Sequence, residues 1–501
     1  MREGWHAQRS DTLSYEDWIK AFEAPQRPPA VRADGHNPLI SIVVPAFNTP
    51  DKYLNPLLDS IIEQSYTNWE LVLVQASTVA ERAEAIRLAA KRDQRIKIVE
   101  LEKNEGIAGN TNVGLQNAKG HFIAFLDHDD TLSPYALASV VEALQAEPKI
   151  GLFYSDEDKV SDDGIYRSLP LFKPAWSPEL FLGVNYLAHF VVVRTDLVRQ
   201  VGGIRLGYDG AQDYDFLLRV TGLSPVIHAI SRMSYHWRQA AGSTGLDLGE
   251  KSYANDAGLR AMSDYVQRNK IEAEVTQVEG RPTEYRLKYR VVGQPSVAVL
   301  PTGLHSPEAY ARLMKKTAYP HCRLIADASE ASNDELLLQI DLALEPSSPD
   351  WLTELIGLAQ QPDIAWAGAC LVTSDGRSCG IGYTEQQGAW EPIFSGLALE
   401  QWTLMGPAVW PRNVMAPNAS CALIEVKKLK ALGGNDLNIS ALYASTNGMR
   451  NVYWPYARLT GSKLMEVLPL RPAFPGNTQD PNVNSNLAVK NGDFLLKKQK
   501  Q

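Results

Sequence analysis

The stretch HFIAFLDHDDTLSPYALASVVEALQ, residues 121–145, decides how the chain is read. Phe122 to Leu126 form a short apolar run of the kind that makes a strand buried on both faces. Asp127, His128, Asp129 and Asp130 follow directly, with carboxylates at three of four positions. Ser133 and Pro134 then stand where an N-cap and first helical residue belong, and Leu137, Val140, Val141 and Leu144 recur at helical spacing. Strand, acidic turn and helix make one unit of a parallel α/β sheet. Ligands bind such sheets outside the carboxyl ends of their strands, where the acids sit.

The same alternation continues on both sides. Upstream, ISIVVPAF (40–47), ELVLVQAS (70–77) and IKIVEL (96–101) read as strands, separated by helical spacings that include Leu57, Leu58, Ile61 and Ile62. NEGIAGNTNVGLQNAKG (104–120) is a glycine-punctuated loop entering a helix, and IGLFYSD (150–156) is a further strand. The pattern predicts a doubly wound, mostly parallel sheet. Before it, SYEDWIKAF places Ser14 three residues ahead of Asp17 as a helix cap, and Pro25, Pro28 and Pro29 end that helix in a linker.

The second half echoes the first. Ser133-Pro134 finds a match in Ser348-Pro349, RTDLVRQVGG in VKKLKALGG, and SIVVP in SVAVLP. Several matches in one order predict two copies of one architecture. Counting back from the shared Ser-Pro sets Leu342, Leu344 and Glu345 opposite Asp127, Asp129 and Asp130. Counting forward from the shared Gly-Gly sets Ala444 opposite Asp213. The expected organisation is a helical leader and linker (1–38), a first α/β domain (39–270), a linker (271–294), and a second copy with a tail (295–501) that has lost the acids.

Composition narrows the function classes. The 501 residues are 45% hydrophobic and 21% charged, enough for sizeable cores. A formal net charge of -9 argues against a chain built to coat nucleic acid. Cys322, Cys370, Cys379 and Cys421 form no C-x-x-C pair and suit a reducing compartment. No signal-peptide core or apolar span of ~18 residues is evident, so the expected location is cytoplasmic, at most peripheral to a membrane.

Three motifs can carry chemistry. Asp127-His128-Asp129 can offer two carboxylates to one hard cation, Mg2+ or Mn2+, although acids at a helix entry serve equally as caps. In GAQDYDFLLR, Asp209, Asp213 and Asp215 suit a helix N-terminus, and Asp213 is the choice for a general base. In YHWRQAAGSTG, His236 and Arg238 precede a glycine-flanked hydroxyl loop able to meet a metal or a diphosphate. The acidic stretch SDEDKVSDDG (155–164) reads as a polar hairpin tip. The 104–112 loop lacks the Gly-Lys-Ser/Thr of a P-loop.

Together SIVVPAFN, WELVLVQAST, NEGIAGNTNVGLQNAKG, FLDHDD, YSDEDK, NYLAHFVVVR, GAQDYDFLLR and YHWR resemble an inverting family 2 glycosyltransferase with the GT-A fold over residues 39–245. Residues 295–465 resemble a second such domain, degenerate at the acids. YEDWIKAFE resembles the leader of a bacterial group that builds surface polysaccharides such as O-antigen or capsule. The resemblance implies that Asp127, Asp129 and His236 engage a divalent cation and that Asp213 is the base. It implies that Pro45, Phe47, Asn48, Gln75, Asn104, Gly106, Asp127, His128 and Arg238 border a nucleotide-sugar donor. The implied acceptor is a glycan or a lipid-linked glycan. One departure stands out: the family has two aspartates where this chain has Gln75-Ala76. A nucleotidyltransferase is disfavoured, since Lys52 is the only base in AFNTPDKY. A non-catalytic scaffold of a polysaccharide assembly complex is the alternative reading.

Overall fold

The computed structural model describes residues 14–24, 26–240, 252–303, 306–386, 389–433, 440–441, 443–461, 463, 468–469, 480, 482–490 and 492–497. The first nine strands are β1 (Ile40–Ala46), β2 (Trp69–Gln75), β3 (Ile96–Glu100), β4 (Phe122–Phe125), β5 (Thr131–Leu132), β6 (Ile150–Val160), β7 (Arg167–Leu171), β8 (Val191–Arg194) and β9 (Val226–Arg238). They form one sheet in the order β3-β2-β1-β4-β8-β6-β9-β5, with β7 on β6. β1, β2, β3 and β4 run parallel, as their apolar sequences require, and every residue of β2 is buried. β8 enters antiparallel between β4 and β6. That reversal leaves the acidic turn after β4 at the open end of the sheet.

Helices cover the faces. The helix Gly106–Asn117 lies so close to β1 and β2 that a Cβ on Gly114 would stand 2.5 Å from a Val43 methyl. The helix after the acidic turn runs Ala136–Ala146 with Leu137, Val140, Val141 and Leu144 buried. It starts two residues later than Ser133 and Pro134 suggest, because the Ser133 N–H extends the sheet by donating to the Ser234 carbonyl at 3.0 Å. At the N-terminus, Ser14 caps the helix Tyr15–Trp18 as its spacing predicts.

The segment 271–294, expected as a linker, carries a hairpin of β10 (Ala273–Gln277) and β11 (Tyr285–Tyr289), with Tyr285, Leu287 and Tyr289 buried. Beyond it come β12 (Val297–Pro301), β13 (Cys322–Leu324), β14 (Leu336–Ile340), β15 (Glu345–Pro346), β16 (Ile364–Val372), β17 (Gly382–Gln386), β18 (Ala389–Ile393), β19 (Arg412–Val414), β20 (Ala416–Pro417), β21 (Cys421–Glu425) and β22 (Arg450–Thr460). The second large sheet is ordered β13-β12-β14-β21-β16-β22-β15. It repeats β2-β1-β4-β8-β6-β9-β5 strand for strand, with the same parallel or antiparallel sense at each step. The echo in the sequence is therefore a repeat of topology.

Register corrects the residue matching by one. The Asp127 carbonyl accepts from Asp130 N and the Asp341 carbonyl from Leu344 N, so the two turns superimpose with Asp127 on Asp341. Thr131 then pairs with His236 as Glu345 pairs with Thr460. The counterparts of Asp129 and Asp130 are Ala343 and Leu344. Counting from Ser-Pro failed because Ser347 takes the place of Ser133, donating to the Arg458 carbonyl at 2.9 Å, and Ser348 is an insertion. The second copy thus keeps one acid, but Asp341 spends it locally, accepting from Ala343 N at 2.9 Å. Ala444, matched to Asp213 by counting, caps a short 3-10 turn, Ser445–Asn447. Residues 434–439 and 442 lie outside the described residues.

The two halves share cores. One cluster joins Val43, Tyr154 and Phe216 to Leu338, Trp351 and Trp454. Another gathers Trp18 of the leader, Phe172, Met233, Val483, Leu487 and Phe494. The hairpin of β24 (Leu487–Lys490) and β25 (Asp493–Leu496), which follows the short β23 (Leu468–Pro469), thereby packs back on the first domain. No helix among the described residues is long and apolar enough to cross a membrane.

Candidate active site

A cleft opens at the carboxyl ends of β1 and β4. Its lining includes Val43, Pro45, Thr111, Asp127, His189, Asp213, Phe216 and Tyr235, and its empty volume is about 720 Å³ counted out to the mouth. Asp127 and Asp213, far apart in sequence, face one space. Asp213 is the second residue of the helix Gln212–Thr221, and its carboxylate accepts from Asn185 Nδ2 at 2.9 Å.

The three acids of the turn have different occupations. Asp130 is fully buried, takes Arg238 N on one oxygen at 2.6 Å and Tyr235 OH on the other. Among the described residues, no hydrogen bond or ion pair occupies the carboxylate oxygens of Asp127 or Asp129. Burial pushes the Asp127 carboxyl above its usual range; His189 opposes this, and Asp129 adds to it. Burial, then the charges of Asp127 and Asp129, push Asp130 well up. Burial likewise raises Asp213 against the opposing charge of His189. The crowding in the sequence is therefore real in space, and only one of the three acids is consumed by the fold.

Arg238 is buried and spends its guanidinium on the backbone, reaching the Asp129 carbonyl at 2.7 Å and the carbonyls of Ser161 and Asp162. It braces the acidic turn. His236 Nδ1 lies 2.6 Å from Asp158 Oδ1, which fixes that nitrogen and leaves Nε2 for another partner. The Gly-Ser-Thr loop beyond them lies outside the described residues. His128 Nδ1 is buried with no hydrogen-bond partner among the described residues. No group of three or more His, Cys, Asp or Glu side chains among the described residues forms a ready metal cage.

Of the remaining expected donor contacts, Pro45 lines this cleft, while Phe47, Asn48, Gln75, Asn104 and Gly106 are not among its lining residues. Phe47 is exposed. Asn48 ties the β1 loop to the β2 loop, accepting from Thr78 N at 3.0 Å. Gln75 is buried and accepts from Ser77 N, shaping its own turn. Asn104 Oδ1 accepts from Gly106 N at 3.0 Å and Asn110 Nδ2 at 2.8 Å. Gly106 opens its helix at φ +76, a left-handed conformation that suits glycine.

The acidic stretch after Ser155 departs from the hairpin-tip reading. Only 161–164 form the tip; Asp156, Glu157 and Asp158 lie on β6. Asp156 accepts Asn484 Nδ2 at 2.8 Å, Glu157 faces His189, and Asp158 binds His236, Arg167 and, at 2.6 Å, the hydroxyl of Tyr15 in the leader. Alternating strand geometry sends Asp156 and Asp158 to one face and Glu157 to the other. Sequence reasoning missed these roles because a run of acids reads as solvent-facing, while their partners come from remote segments. The second sheet does without them: Asp158 opposite His236 becomes Val372 opposite Thr460, and the hydrogen-bonded pair Asp130 and Tyr235 gives way at the same register to Leu344 and Leu459.

Residues 41–201 match the model of glycosyl transferase family 2, which makes the first domain a domain of that family. It is 32% identical over 452 residues to O-antigen biosynthesis protein RfbC of Myxococcus xanthus, covering 81% of this chain and 35% of that protein. It is 30% identical to the uncharacterized protein y4gI of Sinorhizobium fredii, covering 93% of this chain and 59% of that one. The chain thus spans between about a third and three fifths of the length of these relatives. Staphylococcus aureus TarS 1–349 in complex with UDP-GlcNAc superimposes at a TM-score of 0.38 with 20% identity, over 45% of this chain and 66% of that one, too slight a likeness to bear on the site.

Proposed function

We propose that the first domain transfers a sugar, with inversion, from a nucleotide-sugar to a hydroxyl of a glycan or lipid-linked glycan in surface-polysaccharide assembly. The observation that carries this reading is the pair Asp127 and Asp213 across one cleft, in a turn where Asp130 alone is used by the fold. The relative that takes part in O-antigen biosynthesis supports the choice of acceptor class. Four cysteines outside any disulfide suit work on the cytoplasmic side, peripheral to a membrane when the acceptor is lipid-linked.

The residues present fit a Mg2+ or Mn2+ ion. Two unengaged carboxylates, Asp127 and Asp129, suit a hard cation that takes one or two protein oxygens and completes its shell with phosphate. Their mutual repulsion is relieved by such a charge, and His236 Nε2 is the third candidate contact. When bound, the cation would neutralise charge on the departing nucleoside diphosphate. Asp213 takes the proton from the acceptor hydroxyl, which attacks the anomeric carbon from the side opposite the diphosphate. The Asn185 amide holds Asp213 in place, and the apolar walls of Val43, Phe216 and Pro45 keep water from competing.

The second domain we read as a catalytically silent copy that supports the first. Its sheet keeps the topology while apolar residues replace the polar pairs. The test is a thermal-shift screen of UDP-, GDP- and dTDP-sugars with and without Mn2+. Stabilisation by at least one donor that depends on Mn2+ and is lost in Asp129→Ala supports the proposal. Indifference to every donor would favour a scaffold for the whole chain.

A further inference from the structure

His189 lines the cleft with Asp127 and Asp213, and among the described residues it is the only lining one able to carry positive charge. Its ring is fixed from several sides. It stacks on Tyr235 with centroids 4.6 Å apart and planes 17° from parallel. Nδ1 lies 3.3 Å from Glu157 Oε2, the backbone N–H donates to the same carboxylate, and the carbonyl accepts from buried Lys173. Among the described residues Nε2 has no partner. Burial opposes charge on this ring, but the Glu157 hydrogen bond and the charges of Glu157, Asp127 and Asp130 outweigh it and lift the imidazole to about 9. With the Glu157 carboxylate against Nδ1, the ring turns its other nitrogen away from that acid, at the acidic end of the cleft.

The second copy gives an independent argument. Glu157 opposite Tyr235 becomes Leu371 opposite Leu459. β8 pairs Phe125 with Val191 where β21 pairs Gln339 with Ala422, so the residue two before each strand position changes from His189 to Ser420. Ring, anchoring acid and stacking partner vanish together from a sheet that keeps its topology. The trio is therefore not a requirement of the fold.

We infer that His189 is a catalytic residue: its Nε2–H donates to the diphosphate of the donor and offsets the charge gathering there as the sugar leaves. The inference rests on the transferase reading above. In the step, the acceptor oxygen bonds the anomeric carbon, the bond from that carbon to the phosphate oxygen breaks, and its electron pair leaves with the diphosphate. The acceptor proton goes to Asp213, while His189 keeps its own proton throughout. Glu157 acts through His189 and is a positioning residue.

The test is calorimetric binding of UDP, GDP and dTDP in Mn2+ to the full chain, paired with transfer kinetics. His189→Ala is expected to weaken nucleoside diphosphate binding about 10- to 100-fold, as loss of one charge-assisted hydrogen bond does, and to lower kcat more than it raises KM. His189→Gln, which keeps an N–H but no charge, should recover part of the binding, and Glu157→Gln should weaken it in the same direction. Melting curves show which variants fold; if His189→Ala does not, His189→Gln is compared with wild type. Wild-type binding in a folded His189 variant with unchanged kcat overturns the role of His189 and leaves the transferase reading standing. A wild-type protein that binds none of the three nucleotides overturns both.

Discussion

Asp129 and Asp130 are adjacent and chemically identical, yet their substitution should have opposite signatures. Asp130→Ala removes the acceptor of Arg238 N and the partner of the Tyr235 hydroxyl in a fully buried site. Each buried group left without a partner costs ~1–3 kcal/mol, so the variant should lose about 2–6 kcal/mol of stability. Asp129→Ala removes a carboxylate that nothing among the described residues engages and that repels Asp127. Its stability should stay within ~0.5 kcal/mol of wild type, or rise. Asp130→Asn keeps an acceptor for Arg238 N and replaces a carboxyl already pushed toward its neutral form, so it should resemble wild type in stability. Urea unfolding followed by far-ultraviolet circular dichroism reads all three, and a calorimetric titration with Mn2+ and a nucleoside diphosphate reads ligand binding. Asp129→Ala should abolish metal-dependent binding at full stability. Equal destabilisation by Asp129→Ala and Asp130→Ala would refute the division of labour, because it would make both acids structural.

Other consequences follow from the same geometry. Arg450→Ala strips Glu179, 4% exposed, of its ion pair across the two halves and should cost about 3–5 kcal/mol in urea unfolding, with Glu179→Gln in the same chain restoring part of it. A chain ending at residue 270 would expose Phe172 and Met233 and leave Asp156 without Asn484, so it should aggregate or bind 8-anilinonaphthalene sulfonate. Tyr15→Phe removes a hydrogen bond to Asp158 and should lower kcat severalfold through His236 with little change in melting temperature. Burial pushes the Asp156 carboxyl up to about 7, above its unfolded value. The native state therefore holds a proton that the unfolded state releases, and stability should fall as pH rises from about 4 to 7, by on the order of 4 kcal/mol. Asp156→Asn should flatten that part of the pH–stability curve relative to wild type.

The sequence carried the first sheet well because each strand there is short, apolar and followed by a clear break, as at Asp127 after Leu126. It carried the repeat because hydrophobic landmarks and glycines survive where polar residues change. It misplaced the equivalent of Asp127 because one inserted serine, Ser348, is invisible to counting and plain in the hydrogen-bond register. Asp127 and Asp213 were legible as acids at a strand end and a helix start. The buried set of Asp156, Glu157 and Asp158 was not, because what distinguishes these acids from a solvated run is contact with Asn484, His189 and Tyr15. Arg238 is a similar case: a basic residue near an acidic turn suggests a phosphate contact, while its guanidinium bonds carbonyls of that turn and of the 161–164 hairpin tip.

The central claim is that the first domain performs transfer with Asp213 as base. The most direct measurement is nucleoside diphosphate release from a matching nucleotide-sugar and acceptor, in Mn2+, by wild type and by Asp213→Asn. Asn at this position retains shape and the contact with Asn185 but cannot take a proton. The account predicts that turnover falls ~10²–10⁴-fold while donor binding stays within a few fold of wild type. Turnover at the wild-type rate by Asp213→Asn would contradict it.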